Sequence, residues 1–188
     1  MIQAIIGKKG QGKTTLIKQI LKKWIKNTII FDVSEEYKNI PGFISVQKYG
    51  QFKKIFLKNN YKIVFDLTRP EHIKYFIPFI MTGNNSIFFD ESHTIIKEPS
   101  IMRLIRLSRN RDIDLFFVSH RIYDFPLILR GNLDKLILFK IQSLADLDYI
   151  KKYISEIEIK IVRDLERFNY LEIDMDKDII LKKSLTFK

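Results

Sequence analysis

A chain of 188 residues, 46% of them hydrophobic, is long enough to bury one substantial core and short for two. Its 33 lysines and arginines against 22 aspartates and glutamates leave a net charge of +11, which favours a polyanionic partner, nucleic acid or membrane surface, although lysine-rich coding alone gives the same surplus. With no cysteine, no disulfide or thiolate metal site is available; an N-terminal apolar run too short for a signal segment, and no stretch near the ~20 residues of a membrane span, set the expectation of a cytoplasmic protein.

The run IQAII (2–6) opens as a buried strand and stops at Gly7. The next residues, Gly7, Lys8, Lys9, Gly10, Gln11, Gly12, Lys13 and Thr14, fit G-x-x-x-x-G-K-[ST], and Thr15 follows. In such a loop the backbone N–H groups wrap a phosphate and the following helix presents the positive end of its dipole. Lys13 is assigned to the β- and γ-phosphates and the Thr14 hydroxyl to Mg²⁺; Gly7 through Thr15 are expected to hold ATP. A flexible basic turn is the plainer alternative, against which stand the strand before the loop and the helix after it. TTLIKQILKKWIKN (14–27) places Leu16, Ile20, Leu21 and Trp24 on one helical face and lysines on the other.

TIIFDV (28–33) and KIVFDL (62–67) read as further strands, continuous in Ile, Val and Phe as parallel strands are. Asp32, Glu35 and Glu36 cap the first, and Asp66 ends the second without a following acid. Lys22, Lys23, Lys26, Lys48, Lys53 and Lys54 suit contacts to a nucleic-acid backbone, and a solvated surface explains them equally well. EHIKYFIPFIMTG (71–83) is amphipathic with Pro78 inside, so it kinks there or begins a turn later.

SIFFDE (86–91) supplies a second acidic feature: Asp90 closes an apolar strand and Glu91 follows directly. A phosphate-loop protein needs a strand-end carboxylate for the Mg²⁺ shell, and a hydrolase needs a base for the attacking water. Asp90 takes the first part and Glu91 the second. SIMRLIRLSRNR (100–111) sets arginines at helical spacing, with Arg103, Arg106, Arg109 and Arg111 near the helix C-terminus. Cations are favoured there by the helix dipole alone; the functional alternative is an arginine finger reaching a neighbouring subunit's γ-phosphate in a ring. DLFFVSH (114–120) brings His120, with Arg121 after it, to a strand tip, where it either senses the γ-phosphate or is an ordinary surface histidine.

KLILFK (135–140) is the next strand, 144–168 reads as one or two charged helices, and NYLEIDMDKDIILKK (169–183) as a hairpin turning near Asp176–Lys177. No repeat or flexible linker interrupts the chain. The expected fold is α/β, a mostly parallel sheet flanked by helices on both faces. It forms one domain over 1–188, with a helical and hairpin C-terminal extension from about 144.

These residues together resemble the FtsK–HerA superfamily of DNA-pumping ATPases over most of the chain. The loop Gly7–Thr14 carries the resemblance first. FDVSEEY is similar to the family's Asp-x-x-x-Glu-Tyr segment at Asp32, Glu36 and Tyr37, and FFDESH looks like its Asp-Glu-x-His form of Walker B at Asp90, Glu91 and His93. LSRNRDIDLFFVSHRIYDFP is similar to its helix-arginine-strand segment, with Arg109 as the family arginine and His120 at the sensor, where the family often has Gln; Asp112 stands where a glycine is usual. The resemblance implies a P-loop NTPase fold of RecA/FtsK–HerA type, ATP and Mg²⁺ as cofactors, and a homo-hexameric ring gripping double-stranded DNA by its backbone. Cellular members carry large extra domains. A core of this length resembles instead the genome-packaging ATPases of membrane-containing icosahedral viruses, which implies a preformed capsid or portal vertex as partner, in a host cytoplasm. Competing readings are a phage-assembly or conjugation-type ATPase, a small P-loop nucleotide kinase and a nucleotide-dependent switch. Assembly ATPases usually add a transmembrane segment, kinases usually lack the Asp-Glu pair, and a switch needs no catalytic base.

Overall fold

Apolar runs that are continuous rather than alternating can only be buried on both faces, which is what a parallel sheet covered by helices provides. The computed structural model describes residues 1–58, 60–177 and 179–186. In chain order its elements are β1 (Ile2–Ile6), α1 (Lys13–Lys23), β2 (Asn27–Asp32), β3 (Ile44–Val46), α2 (Tyr49–Phe56), β4 (Lys62–Asp66), α3 (Ile77–Ile80), β5 (Asn85–Phe89), α4 (Pro99–Leu107), β6 (Ile113–Ser119), α5 (Leu127–Arg130), β7 (Lys135–Leu138), α6 (Leu144–Ile150), α7 (Glu156–Asp164), β8 (Asn169–Asp174) and β9 (Ile179–Ser184). The strands form one nine-stranded sheet in the order β3-β4-β2-β5-β6-β1-β7-β8-β9. All pairs from β3 to β7 are parallel; β7–β8 and β8–β9 are antiparallel. The mostly parallel α/β sheet and its C-terminal hairpin are therefore as expected.

Alternate residues of each strand enter different cores. On one face Ile5, Ile30, Phe88 and Phe116 pack with Leu16, Ile17 and Leu21 of α1. There Phe88 and Phe116 stack with ring centroids 4.0 Å apart. On the other face Ala4, Phe31, Phe89 and Phe117 carry Ile101, Leu104 and Ile105 of α4 and Ile159 and Val162 of α7. The hairpin is not appended to this sheet but continues it, since β8 pairs in register with β7 from Lys135↔Asp174 to Leu138↔Leu171. Among the described residues no helix is long and apolar enough to cross a membrane.

Several local expectations shift. Helix α1 ends at Lys23, so Trp24 leaves the helical face. Its indole N–H instead donates to Ser86 Oγ at 2.7 Å and its ring meets Phe116 edge-on, which ties the helix exit to the sheet. The segment around Pro78 divides into a 3₁₀ turn, Pro70–Tyr75, and α3, with Pro78 in the first helical turn where its missing N–H costs nothing. The arginine segment likewise divides, into α4 and a 3₁₀ turn at Arg109–Arg111. Two helices, α6 and α7, fill 144–168, each started by a serine: Ser143 Oγ accepts the Asp146 N–H, and Ser155 with Glu158 makes a capping box. Lys26 is engaged within the chain, pairing with Asp112 at 3.1 Å and Asp114 at 3.0 Å.

Candidate active site

Strand β1 lies between β6 and β7, and the loop that leaves it is fastened on both sides: Gly7 N–H donates to Ser119 O, and Phe139 N–H to Ile6 O. Gly10 and Gly12 take φ of 79° and 113°. Gly12 is the N-cap of α1 and has no side chain to satisfy the first-turn N–H groups, which leaves that helix end open to an anion. A Cβ at Gly12 would stand 2.6 Å from Leu185 Cδ1 and 3.0 Å from Phe168 Cδ1. Gly12→Ala is therefore expected to lower stability by about 2 kcal/mol or more, from strain and collision together. Thermal melting measures it, and an unchanged midpoint would refute the close packing.

Asp90 begins the turn after β5, its N–H donating to Phe31 O at 3.1 Å. Its carboxylate accepts the Ser34 hydroxyl. Burial pushes the Asp90 carboxyl up to about 6, against the Ser34 hydrogen bond and with further upward pressure from Glu91, Asp32 and Glu36. Glu91 sits in the left-handed region at φ 45°, an uncommon conformation for a side-chain-bearing residue that is frequent at functional sites. Buried Ser92 anchors that turn by donating to Val118 O at 2.9 Å.

From here a chain of contacts runs back to the loop. Glu91 Oε1 is 3.0 Å from His120 Nε2, and Oε2 is 3.3 Å from His93 Nδ1. His120 Nδ1 is 3.3 Å from Lys13 Nζ, which also donates to Gly7 O at 2.8 Å and Lys8 O at 3.2 Å. An ammonium only donates and a carboxylate only accepts. Nε2 thus presents a proton to Glu91, while Nδ1 lies between a donor, Lys13 Nζ, and an acceptor, Gly7 O at 3.2 Å. Burial draws the Lys13 ammonium down from its ordinary value, opposed by Glu91, Asp90 and Glu36.

The segment after β2 closes over the loop. Asp32 accepts the N–H groups of Glu36 at 3.2 Å and Tyr37 at 2.9 Å, which turns Glu36 toward Thr14, whose hydroxyl it accepts. Tyr37 is fully buried, and burial pushes its phenol well above the ordinary value, so it stays neutral beside these acids.

The cleft between these segments measures about 380 Å³ and lies outside the carboxyl ends of the parallel strands, where ligands of open α/β sheets bind. Lys9, Gly10, Gly12, Lys13, Thr14 and Thr15 form its floor; Ser34, Glu36, Asp90, Glu91 and His120 also line it. Thr14, Ser34, Glu36 and Asp90 present only oxygen donors, a set suited to Mg²⁺. Among the described residues no three His, Asp or Glu form a metal cage. A hard ion that shares its shell with phosphates needs none.

Not every expected residue comes here. Arg106 and the Arg109–Arg111 turn precede β6 and so lie at the opposite edge of the sheet from the loop. There Arg109 pairs with Asp134, Arg111 donates to Met81 O at 2.6 Å, and Arg106 is exposed. Arg121 follows His120 but turns toward α6, 3.4 Å from Asp146 and 3.3 Å from Ser143 Oγ. Lys8 likewise reaches sideways, to Gln142 Oε1 at 2.8 Å. Conversely, Ser34, Arg167 and Phe168 line the cavity and were not foreseen. Ser34 had a local signal, since it lies within FDVSEEY just past a strand end. Arg167 and Phe168 had none, because they reach the loop only through the sheet.

Residues 3–183 match the family model described as helicase HerA, central domain. The fold is similar to that of the genome packaging NTPase B204 from Sulfolobus turreted icosahedral virus 2 in complex with AMPPCP, with a TM-score of 0.83 and 21% identity over 100% of this chain and 98% of that one. B204 from Sulfolobus turreted icosahedral virus, described as a DNA-packaging ATPase, gives a TM-score of 0.80 and 24% identity over 98% of both chains. VirB4 of Thermoanaerobacter pseudethanolicus gives 0.69 and 13%, over 99% of this chain and 89% of that one. Comparison with curated proteins finds no match.

Proposed function

The chain belongs to the family of the helicase HerA central domain, and from that premise we propose that it is an ATPase motor that drives double-stranded viral DNA into a preformed capsid. The observation that carries the hydrolytic part is the chain Lys13–His120–Glu91, which sets a carboxylate over a phosphate loop and holds it by its partner histidine. On this reading Lys13 exchanges its carbonyl partners at Gly7 and Lys8 for the β- and γ-phosphates of ATP. Glu91 accepts the proton of the attacking water. His120 couples the two, so that movement of Lys13 onto phosphate is felt at Glu91. Thr14 and Asp90 would hold Mg²⁺, which when bound supplies positive charge to the phosphates.

The placement of Arg106, Arg109 and Arg111 away from their own chain's cavity fits the reading in which they serve a neighbour. A head-to-tail ring, six subunits by family analogy, would bring that edge of one copy to the loop of the next. Residues 1–188 would act as one motor unit in the cytoplasm or at a capsid vertex. The charge of +11 would supply the sequence-independent backbone contacts. The likeness to B204, described as packaging DNA, supports the choice of cargo.

Steady-state ATP hydrolysis, with and without double-stranded DNA over a series of protein concentrations, tests the proposal. Turnover that rises with both is expected. Turnover indifferent to both, with or without added capsid protein, would leave a monomeric kinase or switch and sink the motor.

A further inference from the structure

We propose that Arg167 and Phe168 form the platform on which the base of a bound nucleoside triphosphate stacks, an inference that rests on reading the cavity as a nucleotide site. Strand order fixes the direction in which a nucleotide lies. Asp90 and Glu91 follow β5 and His120 follows β6, both on one side of β1 in the sheet. Strand β8 is two places to the other side of β1 and runs antiparallel, so its first residues return to the same sheet edge as the phosphate loop. Phe168 immediately precedes β8. A triphosphate with its γ end at Glu91 and His120 therefore extends its nucleoside toward residues 167 and 168, which line the same cavity.

The corner at these residues has the features of a stacking surface. The Arg167 guanidinium lies over the Phe168 ring, 4.5 Å from its centroid, with Arg167 exposed and Phe168 half-buried. Two hydrogen bonds fasten the pair to the loop: Arg167 Nε donates to Gly10 O at 2.9 Å, and Phe168 N–H to Gln11 O at 3.2 Å. Phe168 is held at φ 70°, a conformation an aromatic residue adopts only where its surroundings demand it. Its Cδ1 is, after Leu185 Cδ1, the atom that a Cβ at Gly12 would crowd most. Platform and phosphate grip thus move as one piece. A planar guanidinium backed by an aromatic ring reads the π-face that every base possesses.

The test compares ATP and GTP with inorganic tripolyphosphate, which keeps the phosphates and lacks the base. Binding is measured by calorimetry for the wild type, Arg167→Ala, Arg167→Lys and Phe168→Leu, each checked for folding by its melting temperature. The two arginine variants alter an exposed side chain, so the fold should persist. Arg167→Ala is expected to weaken ATP and GTP by about 5- to 100-fold while tripolyphosphate stays within about twofold. Arg167→Lys should not rescue, because it restores charge but not the plane. Equal losses for ATP and tripolyphosphate, or full rescue by lysine, would make Arg167 a phosphate contact and overturn the platform. Unchanged ATP binding in Arg167→Ala and Phe168→Leu would overturn it as well. If the wild type binds none of the three ligands, or Lys13→Ala binds ATP unchanged, the phosphate loop itself fails and the platform with it.

Discussion

Glu91→Gln is expected to bind ATP with near wild-type affinity and to hydrolyse it about 10²- to 10⁴-fold more slowly. The substitution keeps the shape of the side chain and its carbonyl oxygen, so the 3.0 Å contact that His120 Nε2 makes with Oε1 can persist as a donated hydrogen bond. What disappears is the basicity that removes a proton from water, together with one of the charges that hold Lys13 protonated. Single-turnover hydrolysis alongside equilibrium binding separates these effects. A rate near that of the wild type would remove Glu91 from the role of base, and a large loss of affinity would recast it as a binding residue.

Asp90→Asn should move activity and stability in opposite directions. In the folded protein, burial raises the Asp90 carboxyl to about 6, above its ordinary value of 3.8. A carboxyl raised in this way favours the folded state at low pH, where both states are protonated and no cost is incurred, and that advantage is lost as pH rises through 6. At pH 7 the ionised side chain then costs on the order of 2–3 kcal/mol, which asparagine avoids. The variant is expected to melt above the wild type at pH 7–8 without nucleotide, the gap closing toward pH 4, while turnover with Mg²⁺ and ATP falls by about two orders of magnitude or more. Melting curves of both proteins across that range decide it: a gap independent of pH would mean that Asp90 is not the group responsible.

Most of the sheet was legible because its strands are short blocks of Ile, Val and Phe that no other element accommodates. The elements that escaped are those without such a block. Strand β3 has three residues, two of them exposed, and α2 buries only Phe52. Helix α5 is a single turn that buries only Leu129. The loop, Asp90, Glu91 and His120 could be read because each lies at a strand end, and strand ends converge wherever a parallel sheet forms. How far the arginines stand from the loop could not be read from spacing. Arg109 follows α4 closely, but only the strand direction shows that this is the sheet's opposite edge. The role of Ser34 as a donor to Asp90 depends on β2 and β5 being neighbours, which is likewise a fact of topology.

The fastening of the last hairpin to the first loop has a consequence for how the molecule comes into being. On a ribosome the loop emerges before the hairpin, and Arg167 and Gly10, which hold each other, are separated by 157 residues. Strand β1 is likewise made before β6 and β7, with which it pairs, so it waits for them before it has a neighbour. The group β4-β2-β5, by contrast, can assemble from a contiguous stretch. It follows that half of the sheet can form early, whereas the cavity has its full lining only once Arg167 and Phe168 have been made. Topology of this kind makes folding slow.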